Sequence, residues 1–149
     1  MVVIFRTATR ADLAAIVTLI VDDVLGKERD HPEVDDAYER AFADIDADPR
    51  NLLVVADDGG EVVACMQITY VPGLGRHGGE RSLIEAVRVR ADRRGEGLGA
   101  RFLTWAIEQA RARGCALVQL TTDKSRVDAH RFYERLGFVA SHEGMKLVL

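Results

Sequence analysis

A helical repeat bounded by glycines is the sequence feature that most limits the fold. Between Gly97 and Arg113 apolar residues recur at every fourth position, which predicts an amphipathic helix that ends at Gly114. Extended apolar segments precede and follow this helix, at 83–89 and at 117–120. A strand, a glycine-rich turn, a helix and a second strand make a βαβ unit, and the two strands of such a unit run parallel.

The rest of the chain predicts hairpins and helices around this unit. The turn Asp57-Asp58-Gly59-Gly60 separates two alternating apolar runs and is typical of an antiparallel hairpin. The sequence predicts strands at 2–6, 52–56, 62–70, 138–139 and 145–149, and helices from the capping box at 9–12 to Gly26, from about Pro32 to Ala47, and from the capping box at 125–128 to Gly137. Together these elements predict an α+β fold with a mixed, mostly antiparallel sheet, helices on both sides and one central βαβ unit.

Composition limits the chain to one domain. Its 149 residues are 48% hydrophobic and 30% charged, which is typical of a single globular core. No apolar run approaches the roughly 20 residues that a membrane-spanning helix needs. The first residues lack the pattern of a secretory signal, so we expect a cytoplasmic location.

Charge and cysteine content narrow the classes of partner. A formal net charge of -4 argues against nucleic acid, because such binding draws affinity from basic groups on phosphates. Cys65 and Cys115 are far apart and have no companion ligand pairs, so we expect neither a disulfide framework nor a metal site. A small molecule or a peptide is the favoured partner, and a homodimer is compatible with the sequence.

Three alternate glycines, Gly95, Gly97 and Gly99, precede the predicted helix and favour an anion site. Glycine lets the backbone approach a ligand, and a helix start offers unpaired N–H groups to a phosphate. Arg93 and Arg94 add charge before the turn. The loose dinucleotide pattern G-x-G-x-x-A also fits, but only one βαβ unit surrounds it and no carboxylate stands about 20 residues further on.

Two motifs give the chain a specific resemblance. The run 87–99 resembles the acetyl-CoA signature [QR]-x-x-G-x-[GA] of the GCN5-related N-acetyltransferases (GNAT), with Arg94, Gly97 and Gly99 at its defined positions. The run 129–138 resembles a second pattern of that family, A-x-x-[FL]-Y-x-x-x-G-F. The predicted order of elements is similar to the GNAT fold over essentially the whole chain.

This resemblance implies an enzyme that transfers an acetyl group from acetyl-CoA directly to the primary amine of a small molecule or peptide, without a metal. In similar proteins strand backbone groups bind the pantetheine arm and polarise the thioester carbonyl, and the glycine turn binds the pyrophosphate. Arg126 stands where many relatives carry an asparagine. The implied acetyl-CoA-binding residues are Val87, Arg88, Val89, Arg94, Gly95, Glu96, Gly97, Leu98, Gly99, Ala100 and Arg126.

The resemblance also implies two catalytic groups. Tyr133 matches the family tyrosine that protonates the sulfur of CoA, and a phenol is neutral at pH 7. Glu85 is predicted to face the same side as Val87 and Val89 by strand alternation, where a carboxylate would accept the proton of the amine. The alternatives are a packing tyrosine and a solvated carboxylate. A non-catalytic CoA-binding or regulatory module with the same fold is the competing function.

The acidic stretch 22–48 borders the acceptor site if the resemblance holds, and would then favour a cationic amine. A solvated helix face is the simpler interpretation of the same charges. His77 lies on a glycine-rich loop and is expected to be solvated, while Cys65, Cys115 and His130 form no recognisable nucleophile motif.

Overall fold

The computed structural model describes residues 2–22 and 33–149, arranged as a five-stranded mixed sheet with helices on both faces. The strands are β1 (Val3–Thr7), β2 (Asn51–Asp58), β3 (Glu61–Val71), β4 (Arg81–Val89) and β5 (Leu117–Leu120). The helices are α1 (Leu13–Val21), α2 (Asp36–Ala47), the single turn α3 (Gly75–Gly78), α4 (Leu98–Arg113) and α5 (Val127–Arg135). The predicted helix end at Gly26 and the predicted start at Pro32 lie outside the described residues.

The sheet follows chain order, β1-β2-β3-β4-β5. The first four strands pair antiparallel, whereas β4 and β5 pair parallel through α4, as the βαβ pattern predicted. The hairpin between β2 and β3 forms at the predicted turn, where the Gly60 N–H donates to Asp57 Oδ1 at 2.8 Å. The βαβ unit lies at the edge of the sheet rather than at its centre, because β5 is the last strand in the order.

Two apolar layers enclose the sheet. Val54 and Met66 face α4, whose Phe102 and Leu103 are fully buried against them. The intervening Val55 faces the opposite side, where it packs on Ile16 of α1. Because successive side chains point to opposite faces, the middle strands are apolar on both faces. Helix α4 covers one of these faces and lies against β4, the strand that precedes the glycine turn.

An ion network fixes the start of the chain. The predicted capping box forms: the Thr9 N–H donates to Asp12 Oδ2 at 2.7 Å. It opens a short 3-10 turn, Arg10–Asp12, that leads directly into α1. Arg6 donates to both carboxylate oxygens of Asp12, at 2.8 and 3.0 Å, and to Asp57 at 3.0 Å. The Arg6 guanidinium holds the pKa of Asp12 below its usual value.

Three predictions about the second half of the chain were wrong. No strand forms at 138–139 or at 145–149; these residues carry no regular secondary structure. Ser125 does not cap α5, because its N–H and hydroxyl bond to Asp123 and Arg126 takes the position before the helix.

Among the helices described at 2–22 and 33–149, none is long and apolar enough to cross a membrane.

Candidate active site

The backbone of the glycine turn is left-handed at two of its three glycines. Gly95 and Gly97 both have φ of +80°, a left-handed conformation that other residues adopt only with strain. No neighbouring atom lies within 4 Å of a β-carbon built on either residue, so the backbone here is open. Because α4 starts at Leu98, its first N–H groups and the positive end of its dipole face this open turn.

Only one of the two predicted arginines is available to a phosphate. Arg93 donates to Asp58 at 2.6 Å and to Glu96 at 3.1 Å, so its charge is already neutralised. This corrects the expectation that Arg93 adds free charge to the turn. Arg94 is exposed; its Nε donates to the backbone oxygen of Val89 at 3.1 Å, which fixes the base of its guanidinium beside the turn.

The two sequence motifs meet at Gly99. A β-carbon on Gly99 would lie 3.5 Å from the ring of Phe132 and 3.8 Å from the side chain of Val89. The helix that carries Tyr133 therefore packs directly on the start of α4, which in turn lies beside the end of β4. Leu98 is buried in the same core, whereas Ala100 is half-buried.

A bulge in β4 changes which residues share a face. Ala86 has φ of 52°, and the pairing of β3 with β4 shifts register between Cys65 and Gln67. Ile84 and Val87 consequently both contact the core under α4. Glu85 is exposed and pairs with Gln67, so it does not face the same side as Val87 and Val89, contrary to the period-two expectation.

A large open groove of about 1840 Å³ runs beside β4 and β5. Tyr133, Glu85, Arg88 and Arg126 all line it, together with Ala86 at the bulge. The structure thus brings both predicted catalytic residues to one cavity although the bulge separates Glu85 from its strand neighbours. The glycine turn is not part of the lining; it follows the end of β4, where Arg94 bonds to the backbone oxygen of Val89.

Tyr133 is packed among aromatic rings and kept neutral. Its ring makes edge contacts with Phe132 and Phe138, at centroid distances of 5.2 and 5.8 Å. Burial raises the pKa of Tyr133 above its ordinary value, and the positive charges of Arg126 and Arg88 oppose that rise. The phenol therefore stays protonated at neutral pH and can act as a proton donor.

The cysteines and histidines are poor nucleophile candidates. Burial raises the pKa of Cys65 to about 12 and also raises that of Cys115, so neither thiol ionises readily. His130 lies in α5, and its Nε2 is 3.2 Å from the backbone oxygen of Asp123, so its ring is held against the loop before that helix. Across residues 2–22 and 33–149 there is no group of three or more His, Cys, Asp or Glu side chains that could hold a metal ion.

Sequence reasoning missed the charge of the groove. Among the residues that the structure describes, the lining carries six arginine or lysine side chains against four carboxylates, although the whole chain is acidic: Arg76, Arg81, Arg88, Lys124, Arg126 and Lys146 against Glu85, Asp123, Glu134 and Glu143. These residues come from four separated segments, so no local run of the sequence signals them. Described acidic residues of 22–48 lie elsewhere: Asp46 and Asp48 line a separate cavity beside β2.

Comparisons with known proteins agree with this geometry. Residues 15–138 match the acetyltransferase (GNAT) family. The aminoalkylphosphonate N-acetyltransferase of Salmonella typhimurium (strain LT2) is 34% identical over 92% of this chain and 85% of that protein. The L-methionine sulfoximine/L-methionine sulfone acetyltransferase of Pseudomonas aeruginosa is 31% identical over 91% of this chain and 80% of that protein.

A solved structure is similar over almost its full length. The transcriptional regulator from Bacillus halodurans C-125 is 48% identical, with a TM-score of 0.97, over 99% of this chain and 100% of that one. The fold, the two motifs and the two curated relatives agree on acetyl transfer to an amine. The chain therefore belongs to the acetyltransferase (GNAT) family and is an N-acetyltransferase.

Proposed function

We propose that the chain binds acetyl-CoA along β4, with the pyrophosphate on the glycine turn and the thioester at the Ala86 bulge beside Tyr133. The observation that supports this proposal is that β4 leads from the bulge at Ala86 to the glycine turn. The open backbone at Gly95 and Gly97 suits a phosphate, and the bulge lies in the groove that Tyr133 lines. Arg94 would donate to the pyrophosphate, while the backbone of Val87 and Val89 would hold the pantetheine arm.

The reaction needs one proton donor and one proton acceptor. The amine nitrogen of the acceptor forms a bond to the acetyl carbon, and the bond between that carbon and the CoA sulfur breaks. Tyr133 donates its phenolic proton to the departing thiolate, and its raised pKa keeps that proton on the phenol at neutral pH until the thiolate forms. Glu85 accepts the proton of the amine, directly or through water, since it is exposed in the same groove.

The acceptor in this proposal is a small primary amine that also carries an acidic group, such as a phosphonate or a carboxylate. The excess of basic side chains in the groove supports it, because an acidic group would be drawn to them. Arg126 and Arg88 are the best placed of these, since the charges of both act on Tyr133. The two curated relatives are named for acceptors with a phosphonate or an amino-acid carboxylate. The described part of the acidic stretch 22–48, residues 22 and 33–48, does not line the groove and so does not support a cationic acceptor.

A matched acceptor series tests this proposal. Acetyl-CoA consumption would be measured with an aminoalkylphosphonate, an amino acid, the corresponding alkylamine without an acidic group, and a polyamine. We expect kcat/KM for the acidic amines to exceed that of the plain alkylamine by about 10-fold or more, since an ion-paired hydrogen bond contributes roughly 1.5 to 3 kcal/mol. Equal or higher activity with the polyamine would overturn the acceptor class.

A pair of arginine variants separates specific recognition from bulk charge. Arg88→Met should raise KM for the acidic amine about 10- to 100-fold and change KM for the plain amine little. Arg111→Met removes the same charge from the exposed face of α4, where Arg111 pairs with Glu108, and should leave both KM values unchanged. If KM for the acidic amine rose equally in both variants, only the net charge of the protein would matter for recognition of the acceptor.

A further inference from the structure

The bulge in β4 contains a strained residue. Ala86 has φ of 52°, a left-handed conformation that is unfavourable for a residue with a β-carbon. On one side of the bulge Cys65 pairs with Arg88. On the other side Gln67 pairs with Glu85, so β4 has one residue more than β3 across this stretch. Strained backbone of this kind persists only where the surrounding structure holds it.

The side chain of Cys65 reaches the bulge from β3. Its Sγ lies 3.7 Å from the backbone oxygen of Ala86. Burial raises the pKa of this thiol to about 12, while the charge and the backbone N–H of Arg88 act in the opposite direction. The thiol is therefore protonated at neutral pH and can donate to the Ala86 oxygen. One side chain thus interacts with the residues directly before and directly after Val87.

Packing fixes the position of this thiol. Cys65 is 1% exposed and packs in one apolar cluster with Ile16 and Leu19 of α1. Its partner on β2, Val55, is fully buried in the same cluster. Cys65 is not among the described residues that line the groove, so it can act on the reaction only through the backbone of the bulge.

The peptide group between Ala86 and Val87 connects the thiol with the groove. This group is planar and trans, so its C=O and N–H point in opposite directions. Because the oxygen faces Cys65 in β3, the Val87 N–H points away from β3, to the side of β5. On that side the pairing of β4 with β5 ends at Ile84, and Ala86 lines the groove. A contact that fixes the oxygen therefore also fixes the direction of the N–H.

We propose that Cys65 is a positioning residue for acetyl transfer: its thiol binds the Ala86 carbonyl and so directs the Val87 N–H at the oxygen of the thioester. This inference rests on the proposed function, which places the thioester at the bulge. Negative charge develops on the thioester oxygen when the amine attacks, and an N–H that already points at this oxygen stabilises that charge. Because the gain arises in the transition state, the contact affects kcat more than the binding of acetyl-CoA.

Two substitutions at Cys65 distinguish the donor from the volume of the side chain. Cys65→Ala removes the donor, whereas Cys65→Ser leaves a similar space and keeps a donor. We expect kcat to fall about 10-fold in Cys65→Ala, less than the roughly 10²- to 10³-fold cost of deleting such a donor, because the N–H is misdirected and not removed. KM for acetyl-CoA should change little, and Cys65→Ser should keep most of the wild-type kcat. A wild-type kcat in Cys65→Ala, or an equal loss in both variants, would overturn the proposal.

Val55→Ala is the matched control for packing. It removes volume from the same buried cluster but lies on β2, one strand further from the bulge. This variant should lower the melting temperature and leave kcat unchanged. If kcat fell as far in Val55→Ala as in Cys65→Ala, the effect would come from the core and the thiol would have no positioning role.

The amide signal of Val87 in a ¹⁵N-labelled sample separates this proposal from the proposed function. In the wild type without acceptor, acetyl-CoA should shift this signal relative to CoA, because only acetyl-CoA carries the carbonyl oxygen. The difference should shrink in Cys65→Ala and return in Cys65→Ser. No difference in the wild type would show that the thioester lies elsewhere, which overturns both proposals. A wild-type difference that persists in full in Cys65→Ala would reject the role of Cys65 alone.

Discussion

The ring of Phe132 lies 3.5 Å from the position that a β-carbon on Gly99 would occupy. This contact joins the helix that carries Tyr133 to the helix that starts at the glycine turn. The phosphate end and the proton-donor end of the proposed acetyl-CoA site are therefore coupled by packing. A change at the turn that displaces Phe132 is expected to move Tyr133 as well, because their rings contact each other.

Two glycine variants distinguish the effect of backbone strain from the effect of the space that a β-carbon occupies. Gly97→Ala forces a left-handed conformation on a residue with a β-carbon, which costs about 1 to 2 kcal/mol and should weaken CoA binding. Gly99→Ala meets only ordinary contacts and should bind CoA nearly as the wild type does. Calorimetric titration with CoA measures the affinity of both variants, and thermal unfolding is the control that each variant is folded. Unchanged CoA affinity in a folded Gly97→Ala protein would remove the turn from the site.

The two neighbouring arginines are expected to differ in function. Arg94→Ala should raise the Kd for CoA about 10- to 100-fold and leave the binding of a pantetheine fragment unchanged, since its partner is a phosphate. Arg93→Ala removes the ion pairs to Asp58 and Glu96, so it should lower the melting temperature more than it affects CoA. Equal loss of CoA and fragment binding in Arg94→Ala would indicate misfolding instead.

Tyr133→Phe should keep the fold and the affinity for acetyl-CoA while kcat falls by about 10²- to 10⁴-fold, the usual effect of removing a positioned acid. The aromatic contacts to Phe132 and Phe138 do not need the hydroxyl. Because the pKa of Tyr133 is raised, the wild type should show no loss of kcat from tyrosine ionisation between about pH 6 and 9. A variant that turns over at the wild-type rate across that range would reduce Tyr133 to a packing residue.

Acid stability should depend on Asp12. Its pKa is lowered in the folded protein, so its ionised form stabilises the fold above the unfolded pKa of about 3.9, and this contribution is lost as the pH falls through the lower folded pKa. Asp12→Asn should cost about 1 to 3 kcal/mol at pH 7, because Arg6 loses one of its two charged partners and keeps only Asp57. Chemical denaturation at pH 7 and near pH 3 measures the difference in free energy of unfolding between the wild type and Asp12→Asn. This difference should be smaller at the lower pH. A pH-independent difference would contradict the ion-pair explanation.

The sequence alone determined the features that depend on local spacing. The four-residue repeat of α4, the glycines before it, the β2–β3 hairpin and the parallel β4–β5 pair were all predicted, because each depends on residues close together in the chain. The two motifs also predicted the family correctly, and they belong to the two helices, α4 and α5, that the structure brings into contact at Gly99.

The tertiary structure alone decided which side chains are free to act. Period-two alternation assigned Glu85 to the wrong face because a bulge at Ala86, set by pairing with β3, adds a residue to the strand. Arg93 is occupied because Asp58, distant in sequence, lies beside it in the fold. The segment 145–149 has the composition of a strand but forms none, because a strand needs a partner edge. All three outcomes depend on pairing between segments that are far apart in the sequence. A local sequence pattern does not indicate such pairing.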